Sequence, residues 1–283
     1  MAVTQFQRSI CRLIADQRKQ SGVSYVAGGV ALNLLLDGTR LSRDIDIFHD
    51  AEEAVHASFA TDRRLLEHAG YSVSTLRELP GFVAAVVAKS GDGVRMEWVR
   101  DSAFRFFPLM EHEQLGLTLH PFDLATNKVL AMVGRLEVRD WVDAINADRR
   151  LQPLGYLLWA ACGKDPGYSP GSLLAHARRT THYSAVEVAQ LEFEGESPDA
   201  RALASEWHGM LAEAAAIIDL LPPEEAGNCV LDTESSLFTG GSGRLPSALA
   251  QRQIRFHAGS LGGAYPRLVT CAARSRYGVD GPG

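Results

Sequence analysis

The chain has 283 residues, 46% hydrophobic and 22% charged, with a formal net charge of −6. That length buries a substantial core and leaves room for two domains, and the composition excludes a disordered chain. The charge excludes a uniformly basic nucleic-acid binder, although it leaves room for a local basic cleft.

The cations are mostly arginine, which grips phosphate bidentately; the only lysines are Lys19, Lys89, Lys128 and Lys164. Cys11, Cys162, Cys229 and Cys271 are widely spaced and match no zinc or redox pattern, so they read as reduced packing cysteines. The N-terminus has no apolar leader core and no stretch approaches a membrane span, which points to a cytoplasmic protein.

In chain order, Phe6, Ile10, Leu13 and Ile14 give the residues from Thr4 to Lys19 the spacing of an amphipathic helix, stopped at Ser21-Gly22. Val23 to Ala27 reads as a strand, Gly28-Gly29 as a turn, and Val30 to Leu36 as an apolar helix packed on a sheet. Free backbone N–H groups at such a helix start suit phosphate. The next strand carries Asp44 and Asp46, which alternation puts on one face, with Ile45, Ile47 and Phe48 directed to the core. Two carboxylates this close repel unless a cation lies between them, and an oxygen-only set suits Mg²⁺. Phosphate cradle and metal carboxylates in one short unit suggest chemistry on a nucleoside triphosphate.

Val55, Phe59, Leu66 and Ala69 mark a helix from Glu52 to Ala69, with Gly70 at its C-cap. Tyr71 to Leu79 and Phe82 to Ala88 read as strands, and Ser90-Gly91-Asp92-Gly93 as a hairpin turn. On the strand from Val94 to Val99, Arg95, Glu97 and Val99 share one face and Val94, Met96 and Trp98 the other. From Phe104 to His120 the pattern is irregular and reads as a connector.

A helix opens at Pro121 and runs through Leu130, Val133 and Leu136, followed by a second segment from Arg139 to Ile145. Lys128 and Arg135 stand almost two turns apart, on one helix face. Gly163 to Gly171 is a loop, and Ser184 to Phe193 and Pro198 to Leu221 are helices, the latter with Ser197 as N-cap. Gln251 to Val269 is mixed and packs back on the domain, and Gly278 to Gly283 is a frayed tail. Trp98, Trp141, Trp159 and Trp207 fit core packing, and neither His49 nor His120 has a partner at ligand spacing.

Gly28-Gly29 followed by Asp44-Ile45-Asp46-Ile47 resembles the signature of the nucleotidyltransferase superfamily. Ser42-Arg43 ahead of the pair and Phe48 after it resemble more narrowly the AbiEii-type (AbiEii/AbiGii) nucleotidyltransferase toxins. The block Asp123-Leu124-Ala125 with Lys128, Arg135, Arg139-Asp140 and Asp143 is similar to that family's helical block. Val30 departs from the pattern, which has a hydroxyl residue after the glycines.

The resemblance implies an α/β fold: an N-terminal, polymerase-β-like small mixed sheet with helices over residues 1–118, then a mainly helical domain over 119–283 completing the cleft. It implies that Asp44, Asp46 and Glu97 hold metal, two Mg²⁺ ions across an NTP. Gly28, Gly29, Ser42, Arg43, Lys128 and Arg135 would bind substrate, with Asp140 supporting the catalytic set. The implied acceptor is RNA, tRNA among the candidates, with a cognate antitoxin protein as partner and no membrane.

Other readings stay open on the residues alone. Glu97 fits an edge-strand acid, Lys128 a solvated lysine, and Asp140 a helix-start or ion-pair residue. Ser42 fits a loop-shaping role, and Arg40 and Arg43 fit either substrate contacts or surface charges. Transfer to a small hydroxylated molecule such as an antibiotic, or nucleotide binding without catalysis, are the alternative functions.

Overall fold

The computed structural model describes residues 3–180 and 183–266. Helix α1 (Gln5–Ser21) starts at Thr4, whose hydroxyl accepts from the Gln7 N–H while the Gln7 side chain accepts from the Thr4 N–H. This reciprocal cap satisfies two donors that a helix start leaves unpaired. Strand β1 (Tyr25–Ala27) then leads directly into α2 (Gly28–Leu35), two residues ahead of the expected start at Val30.

Strand β2 (Asp44–His49) alternates half-buried Asp44 and Asp46 with fully buried Ile45 and Ile47. Phe48 lies on the face of the acids, not on the core face expected for it, and His49 is the residue turned inward. Strict alternation groups position 48 with 44 and 46, so the apolar character of Phe48 misled. Burial pushes the His49 imidazole down to about 4, so it sits in the core as the neutral ring.

Helix α3 (Glu52–His68) buries Val55, Phe59 and Leu66 beneath a meander of β3 (Ser72–Leu79), β4 (Phe82–Lys89) and β5 (Asp92–Arg100). The β4–β5 turn is only Ser90-Gly91, both at positive φ (56° and 93°), as a two-residue hairpin requires.

The expected connector contains three short strands, β6 (Phe104–Arg105), β7 (Met110–His112) and β8 (Gly116–Thr118). β8 runs parallel to β1, with Thr118 opposite Val26 and its hydroxyl donating to Val26 O at 2.8 Å. Strands of two or three residues show no alternation for a pattern to register; their neighbours decide the pairing. The resulting seven-stranded sheet has the order β3-β4-β5-β2-β1-β8-β7. It is mixed: β2 runs parallel to β5 and β1 to β8, and the other neighbours are antiparallel.

The remainder is mainly helical: α4 (Pro121–Arg135), α5 (Val138–Arg150), α6 (Leu154–Ala161), α7 (Pro170–Ala177), α8 (Ala185–Ala189) and α9 (Ala200–Leu220). α8 stops short of the expected Phe193, because the chain there leaves the helix to bridge Arg40 in antiparallel fashion. The N-cap of α9 is Asp199, not Ser197; its carboxylate accepts from the N–H groups of Arg201 and Ala202.

After β9 (Cys229–Leu231) and α10 (Leu245–Ala250), β10 (Arg255–His257) pairs with β9. β11 (Ser260–Leu261) then pairs with β6, so the stretch from Gln251 does return onto the earlier chain. The expected tail at Gly278 and Cys271 lie outside the described residues.

The architecture is therefore the expected α/β class, a mixed sheet with helices followed by a mainly helical part. One continuous cluster of buried apolar side chains runs from Val3 to Leu231 and contains Trp98, Trp141 and Trp207. Trp159 belongs to a smaller cluster with Tyr156 and Phe238. Cys11, Cys162 and Cys229 are free thiols, and among the described residues no helix is long and apolar enough to cross a membrane.

Candidate active site

β2 and β5 lie side by side in parallel register, with Asp44 opposite Arg95 and Asp46 opposite Glu97. The buried side of β5, Val94, Met96 and Trp98, faces α3, where the Trp98 and Phe59 rings meet edge-on at 4.9 Å. The two-residue strand repeat thus gathers all four charged side chains on the other face. That face is the floor of a cleft of about 560 Å³, whose opposite wall comes from α2 and α4.

The glycine pair is required by space. Gly28 has φ +64°, and a Cβ there would stand 1.7 Å from Asp46 Oδ2. A Cβ on Gly29 would stand 2.7 Å from both Arg40 Nη2 and Ser42 Oγ. One glycine admits the carboxylate at a positive φ that other residues rarely adopt, and at the next a Cβ would force Arg40 or Ser42 to shift. Ala27 at the N-cap of α2 offers no side-chain hydrogen bond, which leaves the N–H groups of the first turn to an outside acceptor.

The acids repel one another here. Burial raises the Asp46 carboxyl, Lys128 opposes that, and Glu97 and Asp44 push it up again, to about 6. Arg95 lies 2.5 Å from Glu97, and Arg139 lies 3.8 Å from Asp44. Among the described residues no three His, Cys, Asp or Glu side chains are already gathered in metal-binding geometry. The donor chemistry nonetheless fits a hard divalent cation: three carboxylates on one face, one of them raised by burial and by the other two beside a glycine-lined recess. Glu97 would join such a site by leaving Arg95.

Lys128 and Arg135 both line the cleft, as their helical spacing predicts. Asp140 does not; it is fully buried behind them. Its carboxylate accepts from Lys128 Nζ at 2.8 Å and from Arg135 Nε and Nη2 at 2.6 and 2.9 Å. Ser42 lines the cleft, but Arg43 does not: its exposed side chain reaches Gln190 O and Glu192 on the loop after α8.

Of the two arginines in the loop before β2, Arg40 is the one that lines the cleft, held by the fully buried Asp143 through Nε at 2.7 Å and Nη2 at 2.8 Å. Asp143 also lies 3.2 Å from Lys128 and accepts from Asn33 Nδ2, which in turn donates to Gly29 O at 2.9 Å. Burial raises the Asp143 carboxyl, and Lys128 and Arg40 more than reverse that, holding it below the ordinary carboxylate range. One buried acid thereby fixes the glycine turn, the arginine and the lysine together. Sequence reasoning assigned no role to Asp143, Asn33, Arg139 or Asn127. The available signal was the pair Asp140 and Asp143, two acids one turn apart on an otherwise apolar stretch of α5.

Among solved structures, the chain is similar to two Helicobacter pylori proteins. One is named a "putative nucleotidyltransferase" (15% identity, TM-score 0.48, covering 76% of this chain and 94% of its own) and the other is JHP933 (15%, 0.48, 75% and 90%). No protein-family model matches the sequence, and comparison with curated proteins gives no significant match. Similarity this distant carries no function.

Proposed function

We propose that this protein is a magnesium-dependent nucleotidyltransferase of the cytoplasm, moving a nucleoside monophosphate from an NTP to an acceptor hydroxyl. The observation that carries the reading is the fit of Asp46 against Gly28, with Glu97 directly across the strand pair. Asp44, Asp46 and Glu97 would hold the metal, which when bound supplies Lewis-acid stabilisation of the triphosphate and lowers the pKa of the acceptor hydroxyl.

The chain's own residues do the rest. N–H groups at the start of α2 and the Ser42 hydroxyl hold phosphate oxygens, and Lys128 and Arg135 neutralise charge as it develops. Buried contacts to Asp140 and Asp143 hold the Lys128 side chain in place. Glu97 accepts the acceptor's proton as its oxygen bonds to the α-phosphorus and the bridge to the β-phosphate breaks, releasing pyrophosphate.

For the acceptor, the open sheet face beside Glu97 supports RNA. It continues outward through Arg95 and Phe82 to the edge strand, where the Arg77 guanidinium lies 5.9 Å from the Phe82 ring centre. Exposed arginines beside an aromatic ring on a sheet suit a single-stranded acceptor. With the AbiEii-type motifs, this favours a toxin acting on tRNA and restrained by an antitoxin protein.

The test is incubation with each labelled NTP and Mg²⁺, with total RNA in one arm and aminoglycosides in the other. Label in RNA is expected; label only in the drug would turn the reading to antibiotic modification. Asp46→Asn is expected to reduce transfer to background while melting no lower than the parent, because it removes a carboxylate that burial, and then Glu97 and Asp44, disfavour. Full activity in that variant would overturn the metal assignment.

A further inference from the structure

A side pocket of about 310 Å³ adjoins the cleft, and Phe48 and Asn127 line both. The two compartments differ in chemistry. The main cleft carries Arg40, Lys128, Arg135 and Arg139 around the glycine turn. The side pocket is walled by Tyr25, Phe48, Phe104 and Leu130, with Asp101 among its polar groups.

The side pocket's one cation, among the described residues, is Lys164, and it has no donor left over. Its Nζ gives hydrogen bonds to Asp123 O at 3.1 Å and Asn127 Oδ1 at 2.7 Å, and lies 2.8 Å from Asp123 Oδ1. An ammonium has three donors and no acceptor. Asn127 must therefore turn its carbonyl oxygen to Lys164, which leaves the Nδ2 amino group for the cavity. Among the described residues that amino group has no protein partner. Asp123 braces the arrangement from behind, its two carboxylate oxygens accepting from the Phe106 and Phe107 N–H groups at 2.9 and 3.0 Å.

A triphosphate sorts itself between these compartments by charge. Its phosphates go to the cationic end, and a flat, largely uncharged ring goes to the aromatic end. Pockets for small ligands run from roughly 300 Å³ upward, so the volume suits one nucleoside-sized group. Resting on the nucleotidyltransferase reading, we propose that the side pocket holds the nucleoside end of the donor NTP and that Asn127 Nδ2 donates to an acceptor atom of its base. Lys164 and Asp123 are positioning residues that lock the amide in this orientation, and the Asp101 carboxylate supplies an acceptor for a base or ribose donor.

The test is titration of the full chain, with Mg²⁺, by each of the four NTPs and by inorganic tripolyphosphate. Asn127→Leu is expected to weaken the best-bound NTP by about tenfold, the value of one hydrogen bond, and to leave tripolyphosphate within about twofold. That variant also takes an acceptor from Lys164, so Leu130→Trp provides a second reading. It fills the pocket from α4 while leaving Lys164 its Asn127 acceptor, and should weaken every NTP but not tripolyphosphate. Unchanged NTP affinity in both variants, or equal loss for NTP and tripolyphosphate, would overturn the proposal while leaving the enzyme reading intact. A parent protein that binds neither NTP nor tripolyphosphate would remove both.

Discussion

Asp143 shows what a single side chain settles in this molecule. Fully buried, it meets Arg40, Lys128 and Asn33, and through Asn33 it reaches the carbonyl of Gly29. A buried carboxylate survives only when partners offset its desolvation, and these do so well enough to hold its proton affinity low. Asp143→Asn leaves Arg40 and Lys128 with one buried carboxylate too few. We expect a loss of about 3 kcal/mol in urea denaturation at neutral pH, the lower end for breaking a buried pair. An unchanged midpoint would mean that the network contributes nothing. The Asp140 and Asp143 pair hinted at a buried role, but its partners were not legible beforehand, because Asp143 meets residues 110 and 103 positions away in sequence. Gly28, Asp44 and Asp46 were legible because their geometry is local: a turn, a short helix and a strand of period two. Arg43 and Arg40, three residues apart in one loop, carried the same signal, and only the tertiary fold separates them.

Elements with a clear period were readable in the same way, and elements too short or too uniform were not. α1, β2, β5 and α4 each show a buried face at the spacing their geometry demands. α6 is buried on every side, so its eight residues have no polar face to mark a period. β8 is three residues long and owes its place to pairing with β1. At α9, Pro198 at the first helical position argued for Ser197 as the cap. The chain instead uses the carboxylate of Asp199, which accepts from two orphan N–H groups and puts negative charge at the positive end of a 21-residue helix. Asp199→Ala should therefore lower the thermal and urea midpoints and Ser197→Ala should leave them unchanged. The reverse ranking would reinstate the serine cap.

At the scale of the whole molecule, residues 1–118 and 119–283 read as a sheet part and a helical part, and the boundary falls at the end of β8, just before α4. The buried cluster does not stop there. It passes from the sheet through α2 and α4 to α9, and the polar network crosses the same line where Asn33 and Arg40 meet Asp143. Pulling the parts asunder would expose Asp143, Lys128 and the inner face of α2 together. α2 has eight residues, below the roughly 12–15 that hold a helix without tertiary support, so the glycine turn cannot keep its form without α4 and α5 behind it. Chains of this length often unfold in stages. Here the shared core predicts one transition, in which the sheet, reported by Trp98 against Phe59, is lost along with the helical part, reported by Trp141 against Trp207. Urea curves from Trp98→Phe and from the triple variant Trp141→Phe/Trp159→Phe/Trp207→Phe, which leaves Trp98 alone, should coincide with circular dichroism of the same samples, once each variant's own shift is subtracted. A fragment of residues 1–118 should show no cooperative melt. A folded fragment, or two separated transitions, would mean that the cleft joins two self-sufficient domains and that its charged wall assembles only when they dock.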